Sequence, residues 1–313
     1  MLAGFWSLVT GKLTDRWLAI LAPAAVFWAG GFSAWASSGP GRSRLPELTA
    51  RLAGHDVAVK VVAVLGAVLI VAVSGIVVQR LAVPVLRLLE GYWPGWLRRL
   101  TAWRRGRVLQ RKAADEQAWQ QLQSQLEKRR LEKTELSPEQ RAELAELEHR
   151  RHRRPVRDHE VLPTRVGNIL RAAETRPYHH YGLEAVVIWP RLWLVLPELA
   201  RQELSAARAS LDAAAAAVIW GLGFIAFTPL AWWAAPVGLA VAASAVAWWV
   251  PNRAGVFADL VEGAYDLYRG ALYQQLRWPL PANPADEQHL GDELTRYLMR
   301  GSDKPYPEFT PPP

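Results

Sequence analysis

The stretch that decides the fold class is residues 211–250, which read LDAAAAAVIWGLGFIAFTPLAWWAAPVGLAVAASAVAWWV. Its only ionisable side chain is Asp212, at its edge, and Thr228-Pro229 interrupts it near the middle. A helix of about 20 apolar residues crosses a bilayer, because each residue adds about 1.5 Å along a hydrocarbon core of about 30 Å. The stretch therefore predicts two membrane-spanning helices, at residues 206–227 and 231–250, joined by a tight turn.

Two further stretches have the composition of membrane spans. Residues 17–36, WLAILAPAAVFWAGGFSAWA, contain no ionisable side chain. A cleaved signal peptide is the competing interpretation, because Lys12 and Arg16 precede the stretch, but it is longer than the roughly 7–15 apolar residues of a signal peptide. Residues 61–80 begin with an apolar run rich in valine and alanine. The sequence thus predicts an all-α membrane protein with four transmembrane helices.

The composition of the whole chain agrees with such a mixture of apolar and charged regions. The protein has 313 residues, of which 51% are hydrophobic and 21% charged, with sixteen tryptophans and no cysteine. Its mean hydropathy of −0.01 is the sum of apolar spans and a charged remainder. The composition excludes a fully disordered chain, and the absence of cysteine excludes a disulfide scaffold and a thiolate metal site.

The net charge of +8 is concentrated in one part of the chain and predicts the orientation in the membrane. Residues 98–157 contain 17 lysines and arginines against nine aspartates and glutamates, and the remainder of the chain is balanced. Lysine and arginine are enriched on the cytoplasmic side of membrane proteins. The loop between the last two spans has none, although the first loop has Arg42, Arg44 and Arg51. We therefore predict a bacterial inner-membrane protein with both termini in the cytoplasm.

Residues 81–103, LAVPVLRLLEGYWPGWLRRLTAW, mix aromatic, aliphatic and basic side chains, and Pro84 and Pro94 are expected to break them into short pieces. This composition is typical of a segment that lies at the membrane surface, with rings at headgroup level and guanidinium groups among phosphates. The alternative is that it is only the positively charged flank of the second span. The candidate contacts with anionic lipid are Arg98, Arg99, Arg104 and Arg105.

Residues 104–157 are predicted to form a basic helical hairpin in the cytosol. A polar helix covers residues 104–133, and Ser137-Pro138-Glu139-Gln140 has the N-cap, N1 proline and N3 glutamine that start a second helix, which is expected to end near Arg153. The hairpin either binds another surface or is a solvated stalk. Its basic run at residues 150–157 lacks interleaved aromatic residues for base stacking, which makes nucleic acid an improbable partner.

The remaining segments outside the spans are also predicted to be helical. Residues 162–174 place Val166, Ile169, Leu170 and Ala173 on one face of a helix. Residues 181–196 are apolar but too short to span, so they are expected to lie at the membrane interface or to pack on the spans. The polar helix after Pro197 should run without a break into the third span, and the proline-rich end from Gly301 is expected to be disordered.

Motifs of catalysis and cofactor binding are not evident. Gly221–Ala226 matches the dinucleotide pattern G-x-G-x-x-A, but it lies within a predicted span, where its backbone donors are used inside the helix. The sequence has no H-E-x-x-H or G-x-S-x-G, and the predicted spans lack internal ionisable side chains of the kind that mark proton or ion pathways. We predict no enzymatic activity, no catalytic residue, no cofactor and no metal site.

Several stretches resemble a family of bacterial multi-spanning integral membrane proteins that has no assigned activity: LPTRVGNILRAAE at 162–174, the WPRLW at 189–193, DLYR at 266–269 and LRWPLP at 276–281. The resemblance implies a bacterial membrane setting. Six polar residues in these stretches are candidates for either a structural network or a site for a lipid headgroup or partner: Arg165, Asn168, Arg171, Glu174, Asp266 and Arg269. Asp266 and Arg269 are the expected partners of the other four.

The leading functional hypothesis is a non-enzymatic membrane protein, expected to be a homo-oligomer, that anchors a cytosolic helical domain for interaction with lipid or with a cytosolic protein. The alternative is a homo-oligomeric channel lined by the first or second span.

The predicted order of segments along the chain is a cytosolic N-terminus at 1–16, a span at 17–36, an extracytoplasmic loop at 37–60, a span at 61–80, an interfacial segment at 81–103, the hairpin at 104–157, a cytosolic or interfacial segment at 158–205, spans at 206–227 and 231–250, C-terminal helices at 255–300 and a tail at 301–313.

Overall fold

The computed structural model describes residues 21–132, 137–302 and 305–311, and the regular elements in these ranges are all helical. The predicted all-α fold is therefore confirmed for this part of the chain. The helices are α1 at residues 21–37, α2 at Gly39–Gly54, α3 at Val57–Glu90, α4 at Arg98–Leu131, α5 at Pro138–His152, α6 at Arg165–Tyr181, α7 at Ala185–Val195, α8 at Glu198–Phe224, α9 at Ala234–Ser244, α10 at Val250–Gln275 and α11 at Pro284–Arg300.

Three helical segments are long and apolar enough to cross a membrane: Val57–Leu131, Glu198–Phe227 and Ala234–Gln275. They contain the spans predicted at 61–80 and 206–227, and residues 234–250 of the span predicted at 231–250. Residues 17–20 of the remaining predicted span lie outside the described residues, and its other residues belong to α1. Helices long and apolar enough to cross a membrane therefore occur at three of the four predicted places.

The chain divides into two compact units, and the first comprises Met1–Leu86 and Asp212–Val250. Its described helices approach one another at glycines. A Cβ added to Gly221 on α8 would lie 2.7 Å from the backbone nitrogen of Ala242, and one on Gly30 would lie 2.7 Å from the ring of Phe224. Small residues let apolar helices pack closely where no hydrophobic force drives them together.

The second unit comprises Arg87–Leu211 and Pro251–Pro313 and has a conventional buried core. Ile188 and Leu192 of α7 are fully buried in this core, together with Leu272 of α10 and Leu294 of α11. One face of residues 181–196 therefore belongs to the core of the second unit, whereas Val186 and Leu194 are exposed, and the expected position at the interface or on the spans stays a prediction. Their apolar face finds its partners in α10 and α11, which a short-range pattern does not reveal.

Helices α4 and α5 lie antiparallel, as predicted for a helical hairpin. Gln140 donates to Gln125 at 3.0 Å near one end, and Arg150 donates to Asp115 at 3.1 Å near the other. Ser137 caps α5 by accepting from the backbone of Gln140, whose side chain accepts in return from Ser137. The predicted capping motif is confirmed, and the predicted loop at 134–136 lies outside the described residues.

One predicted interruption in the first third of the chain is wrong, and the stretch predicted as an extracytoplasmic loop contains a helix. Helix α3 continues through Pro84, because buried Ala82 and Leu86 hold the helix on either side of the one missing backbone donor. It ends only before Gly91, whose φ of +101° suits glycine. The predicted loop at 37–60 contains α2, which starts where Ser38 Oγ accepts from the backbone N–H of Gly41 at 3.1 Å.

Two further differences concern the end of the chain. The fourth predicted span and the following helix are not separate: α9 passes through a π-helical turn at Ala245–Trp249 directly into α10. Residues 305–311 of the tail, which was predicted to be disordered, pack against the rest of the second unit. The backbone N–H of Thr310 donates to Arg277 O at 2.9 Å, and the ring of Phe309 lies 6.0 Å from that of Tyr297. Its aromatic ring gives the proline-rich tail an apolar contact.

Candidate functional site

Asn168, one of the predicted network residues, has a structural role at the start of α6. Its side chain is buried, and its Oδ1 accepts from the backbone N–H of Leu162 at 2.8 Å. Its Nδ2 donates to Leu162 O at 2.8 Å and to Thr164 O at 2.7 Å. The amide therefore holds the turn before α6, whereas Arg165 beside it is exposed.

Arg171 and Glu174, one turn apart on α6, form an ion pair in which Arg171 Nη1 donates to Glu174 Oε2 at 2.8 Å. Burial opposes the charged form of Arg171, but the hydrogen bond and the charge of Glu174 outweigh it and hold the pKa of Arg171 above its ordinary value. The guanidinium therefore remains charged in a partly buried place.

Asp266 and Arg269 have partners other than these residues of α6. Tyr181 Oη donates to Asp266 Oδ1 at 2.6 Å, and Arg269 Nε donates to Glu287 Oε1 at 2.6 Å. The Arg269 guanidinium lies 4.1 Å from the centre of the Tyr181 ring. Burial, with the hydrogen bond to Asp266, raises the pKa of Tyr181 to about 12. The expected single network is thus two separate clusters, because Asp266 and Arg269 meet the C-terminal end of α6 and not its first turns.

A cleft of about 360 Å³ in the second unit includes Arg171 and Glu174 in its lining. Glu90 at the end of α3 and Arg208 of α8 also line it, so that two acidic and two basic residues surround one space. Aromatic residues from α7 and α10 supply much of the remaining wall: Trp189, Phe257 and Tyr265.

The cleft exists because the start of α6 lies directly against the end of α3. Thr164 Oγ1 donates to Glu90 O at 2.8 Å, and a Cβ added to Gly167 would lie 1.9 Å from that same carbonyl oxygen. Only a residue without a side chain permits this approach. Sequence reasoning missed Glu90 and Arg208 because each lies far along the chain from α6, and no local pattern indicates their meeting with Arg171.

The residues predicted to contact anionic lipid are mostly exposed. Arg98, Arg99 and Arg104 are open to solvent, whereas Arg105 donates to the backbone carbonyl of Asp158 at 3.0 Å. Exposed tryptophans accompany them: Trp96 is 81% and Trp103 is 50% exposed. We call residues 92–107 the basic-aromatic segment.

The basic run at residues 150–157 pairs with acidic side chains within the second unit. Arg150 and Arg154 both bind Asp115, the latter at 2.6 Å, and Arg153 binds Asp259 at 2.7 Å. These ion pairs were not predicted, because the acidic partners lie on other helices. These arginines are therefore partly neutralised within the second unit. The exposed arginines of the basic-aromatic segment present positive charge to the surroundings.

In the described part of the chain, no three or more histidine, aspartate or glutamate side chains lie close enough together to hold a metal ion. Comparison of the chain with protein-family models, with curated proteins and with solved structures gave no match. The cleft and the basic-aromatic segment are therefore the two candidate functional sites in the described residues.

Proposed function

We propose that this chain is a non-enzymatic four-span protein of the bacterial inner membrane, whose second unit is held at the cytoplasmic surface and binds anionic lipid. The observation that carries the proposal is the basic-aromatic segment, which follows the apolar helix α3 without an intervening domain. Self-association and binding of a cytosolic protein to the α4–α5 hairpin belong to the same proposal.

The side chains of α3 support a lipid environment. Val59, Val61, Val62 and Val64 are all exposed, and their spacing places them on different sides of the helix. Such an apolar surface is unfavourable in water and suits the hydrocarbon core of a bilayer. The α1 helix, which contains most of the first predicted span, supports a fourth crossing.

The basic-aromatic segment has the side chains that headgroups favour. Indole rings partition to the membrane interface, and each lysine or arginine near an anionic leaflet contributes about 1 kcal/mol. The Arg107 guanidinium lies 4.1 Å from the centre of the Trp103 ring, a cation–π contact that keeps charge and ring together. The segment can therefore place rings and charges at one depth.

Lipid binding is tested with the full chain in nanodiscs of phosphatidylcholine, with and without phosphatidylglycerol. We expect the anionic lipid to raise the thermal unfolding midpoint of the native chain. A variant with Arg98→Gln, Arg99→Gln and Arg104→Gln should lose most of this increase. The charge-matched control carries Arg42→Gln, Arg44→Gln and Arg51→Gln and should keep it. An equal increase in native chain and first variant would refute lipid binding by this segment.

Topology is tested by labelling single cysteines, since the native chain has none. In spheroplasts, a membrane-impermeant maleimide should label Ser43→Cys from outside and should reach Gln110→Cys only after the membrane is opened. Labelling of both positions from the same side would contradict the proposed crossing by α3.

A further inference from the structure

The cleft of the second unit has an unusual balance of charge. Glu90 and Glu174 supply two negative groups, and Arg171 and Arg208 supply two positive ones. A simple anion would meet two carboxylates there, and a simple cation would meet two guanidinium groups. A ligand that carries both a positive and a negative group matches the lining better than either.

The existing ion pair leaves capacity for such a ligand. Arg171 uses Nη1 for Glu174, but a guanidinium has five N–H donors and a carboxylate has about four acceptor positions. A phosphate can therefore bind Arg171, and an ammonium can bind Glu174, without breaking their mutual hydrogen bond. The phosphate, Arg171, Glu174 and the ammonium would then alternate in charge, each next to a group of opposite sign.

Aromatic side chains add a second feature that suits such a ligand. Trp189, Phe257 and Tyr265 line the same space. Aromatic rings attract ammonium groups, so this lining favours the positive group of the ligand. Tyr265 is only 1% exposed and its hydroxyl is closed to solvent, so it contributes to the wall and not a hydrogen bond.

The place of Glu90 in the chain indicates the source of the ligand. It is the last residue of α3, directly before the basic-aromatic segment. If α3 crosses the membrane as in the proposed function, Glu90 lies near headgroup level. We propose that the cleft binds the headgroup of a zwitterionic aminophospholipid, with its phosphate at Arg171 and Arg208 and its primary ammonium at Glu90 and Glu174. This proposal rests on the proposed membrane setting.

Binding is measured with the purified, delipidated full chain in detergent, titrated with dihexanoyl-phosphatidylethanolamine and followed by native mass spectrometry. We expect one molecule to bind. Dihexanoyl-phosphatidylglycerol lacks the ammonium group, and dihexanoyl-phosphatidylcholine cannot donate hydrogen bonds from its ammonium, so both should bind at least about tenfold more weakly, because a charge-assisted hydrogen bond contributes about 1.5–3 kcal/mol. Equal binding of the three lipids would overturn the proposal.

Variants connect the measured binding to the cleft. Glu90→Gln and Arg208→Gln should each weaken binding about tenfold. A thermal midpoint without lipid within about 3 °C of the native value verifies that each variant is folded. Native-like binding by folded Glu90→Gln and Arg208→Gln variants would refute the site.

Free O-phosphoethanolamine distinguishes a lipid headgroup from a soluble ligand. Competition by it at millimolar concentration, with tighter binding of the lipid, supports headgroup recognition, and tighter binding of the free compound would overturn the assignment to lipid. The Arg98, Arg99 and Arg104 triple variant should bind the aminophospholipid normally. Loss of the phosphatidylglycerol effect in nanodiscs and loss of this binding are thus separate results, so failure of one proposal is distinguishable from failure of the other.

Discussion

The first unit packs its apolar helices at glycines and aromatic rings, whereas the second unit, which also has close glycine contacts, adds an aliphatic core and ion pairs between helices. On α8, Gly221 lies against the backbone of α9. In the second unit, Arg176 of α6 reaches Glu262 of α10 and the backbone carbonyl of His152 at the end of α5. The difference matches two media: close van der Waals contact between apolar helices in lipid, and buried core with satisfied charges in water.

The largest effect is expected from the buried charge pair of the second unit. Arg176→Met leaves Glu262, whose side chain is 13% exposed, without its guanidinium partner. Breaking a buried pair from one side costs about 3–5 kcal/mol, and we expect a loss of about 3 kcal/mol in the free energy of unfolding. Denaturant unfolding of the full chain in micelles measures it.

The matched control is Arg296→Met, which removes an exposed ion pair with Asp292 on α11. We expect a change below about 0.5 kcal/mol, since surface pairs contribute little. Equal losses in both variants would show that burial does not distinguish the two pairs.

The next effect concerns close backbone packing in the second unit. A Cβ at Gly291 would lie 1.8 Å from the carbonyl oxygen of Tyr181, so Gly291→Ala must push α11 away from α6. We expect a loss of about 2 kcal/mol, as for other overpacked sites. Gly270→Ala, where no atom lies within 4 Å, should raise stability by about 0.5 kcal/mol.

A glycine-to-alanine substitution in the first unit tests whether its helices tolerate an added methyl group better than those of the second unit. Gly221→Ala would bring a Cβ within 2.7 Å of Ala242 N, and a shift of α9 should cost about 1 kcal/mol. Gly66→Ala on α3 meets no atom within 4 Å and serves as the control. Thermal midpoints in nanodiscs compare the two variants, and a larger loss for Gly66→Ala would contradict the packing described here.

The smallest expected effect on stability comes from ionisation of Tyr181 in the second unit. Because the pKa of Tyr181 is raised to about 12, the folded protein favours the protonated phenol. Its contribution to stability is therefore full below its ordinary pKa of about 10 and is lost as the pH rises from about 10 through 12. Ultraviolet titration near 295 nm should show one tyrosine ionising near pH 12 that is absent in Tyr181→Phe. A spectrum unchanged by the substitution would contradict this assignment.

Local signals account for what the sequence predicts correctly. The apolar runs mark three helical segments, and Ser137 with Gln140 fixes the start of α5, because both features depend on residues within one or two turns of helix. The apolar face of α6 is likewise confirmed by the burial of Val166, Ile169 and Ala173. Such features need no knowledge of distant parts of the chain.

Distant contacts account for what the sequence does not predict. The cleft brings Glu90 to Arg171 and Arg208, and the division of the expected network follows from the partners Tyr181 and Glu287. Proline was also a misleading signal at Pro84, because packing of the neighbouring turns outweighs one lost backbone hydrogen bond. Neither outcome depends on residues that are neighbours in sequence.

The docked tail changes what a truncation of this protein would do. Residues 305–311 cover the second unit at Trp278, which is only 3% exposed, and Phe309 and Tyr297 pack beside the indole. A chain cut after Gly301 would present this indole to solvent and gain an apolar patch of the kind that promotes aggregation. Removing the tail to obtain a simpler protein would therefore expose apolar surface on the second unit.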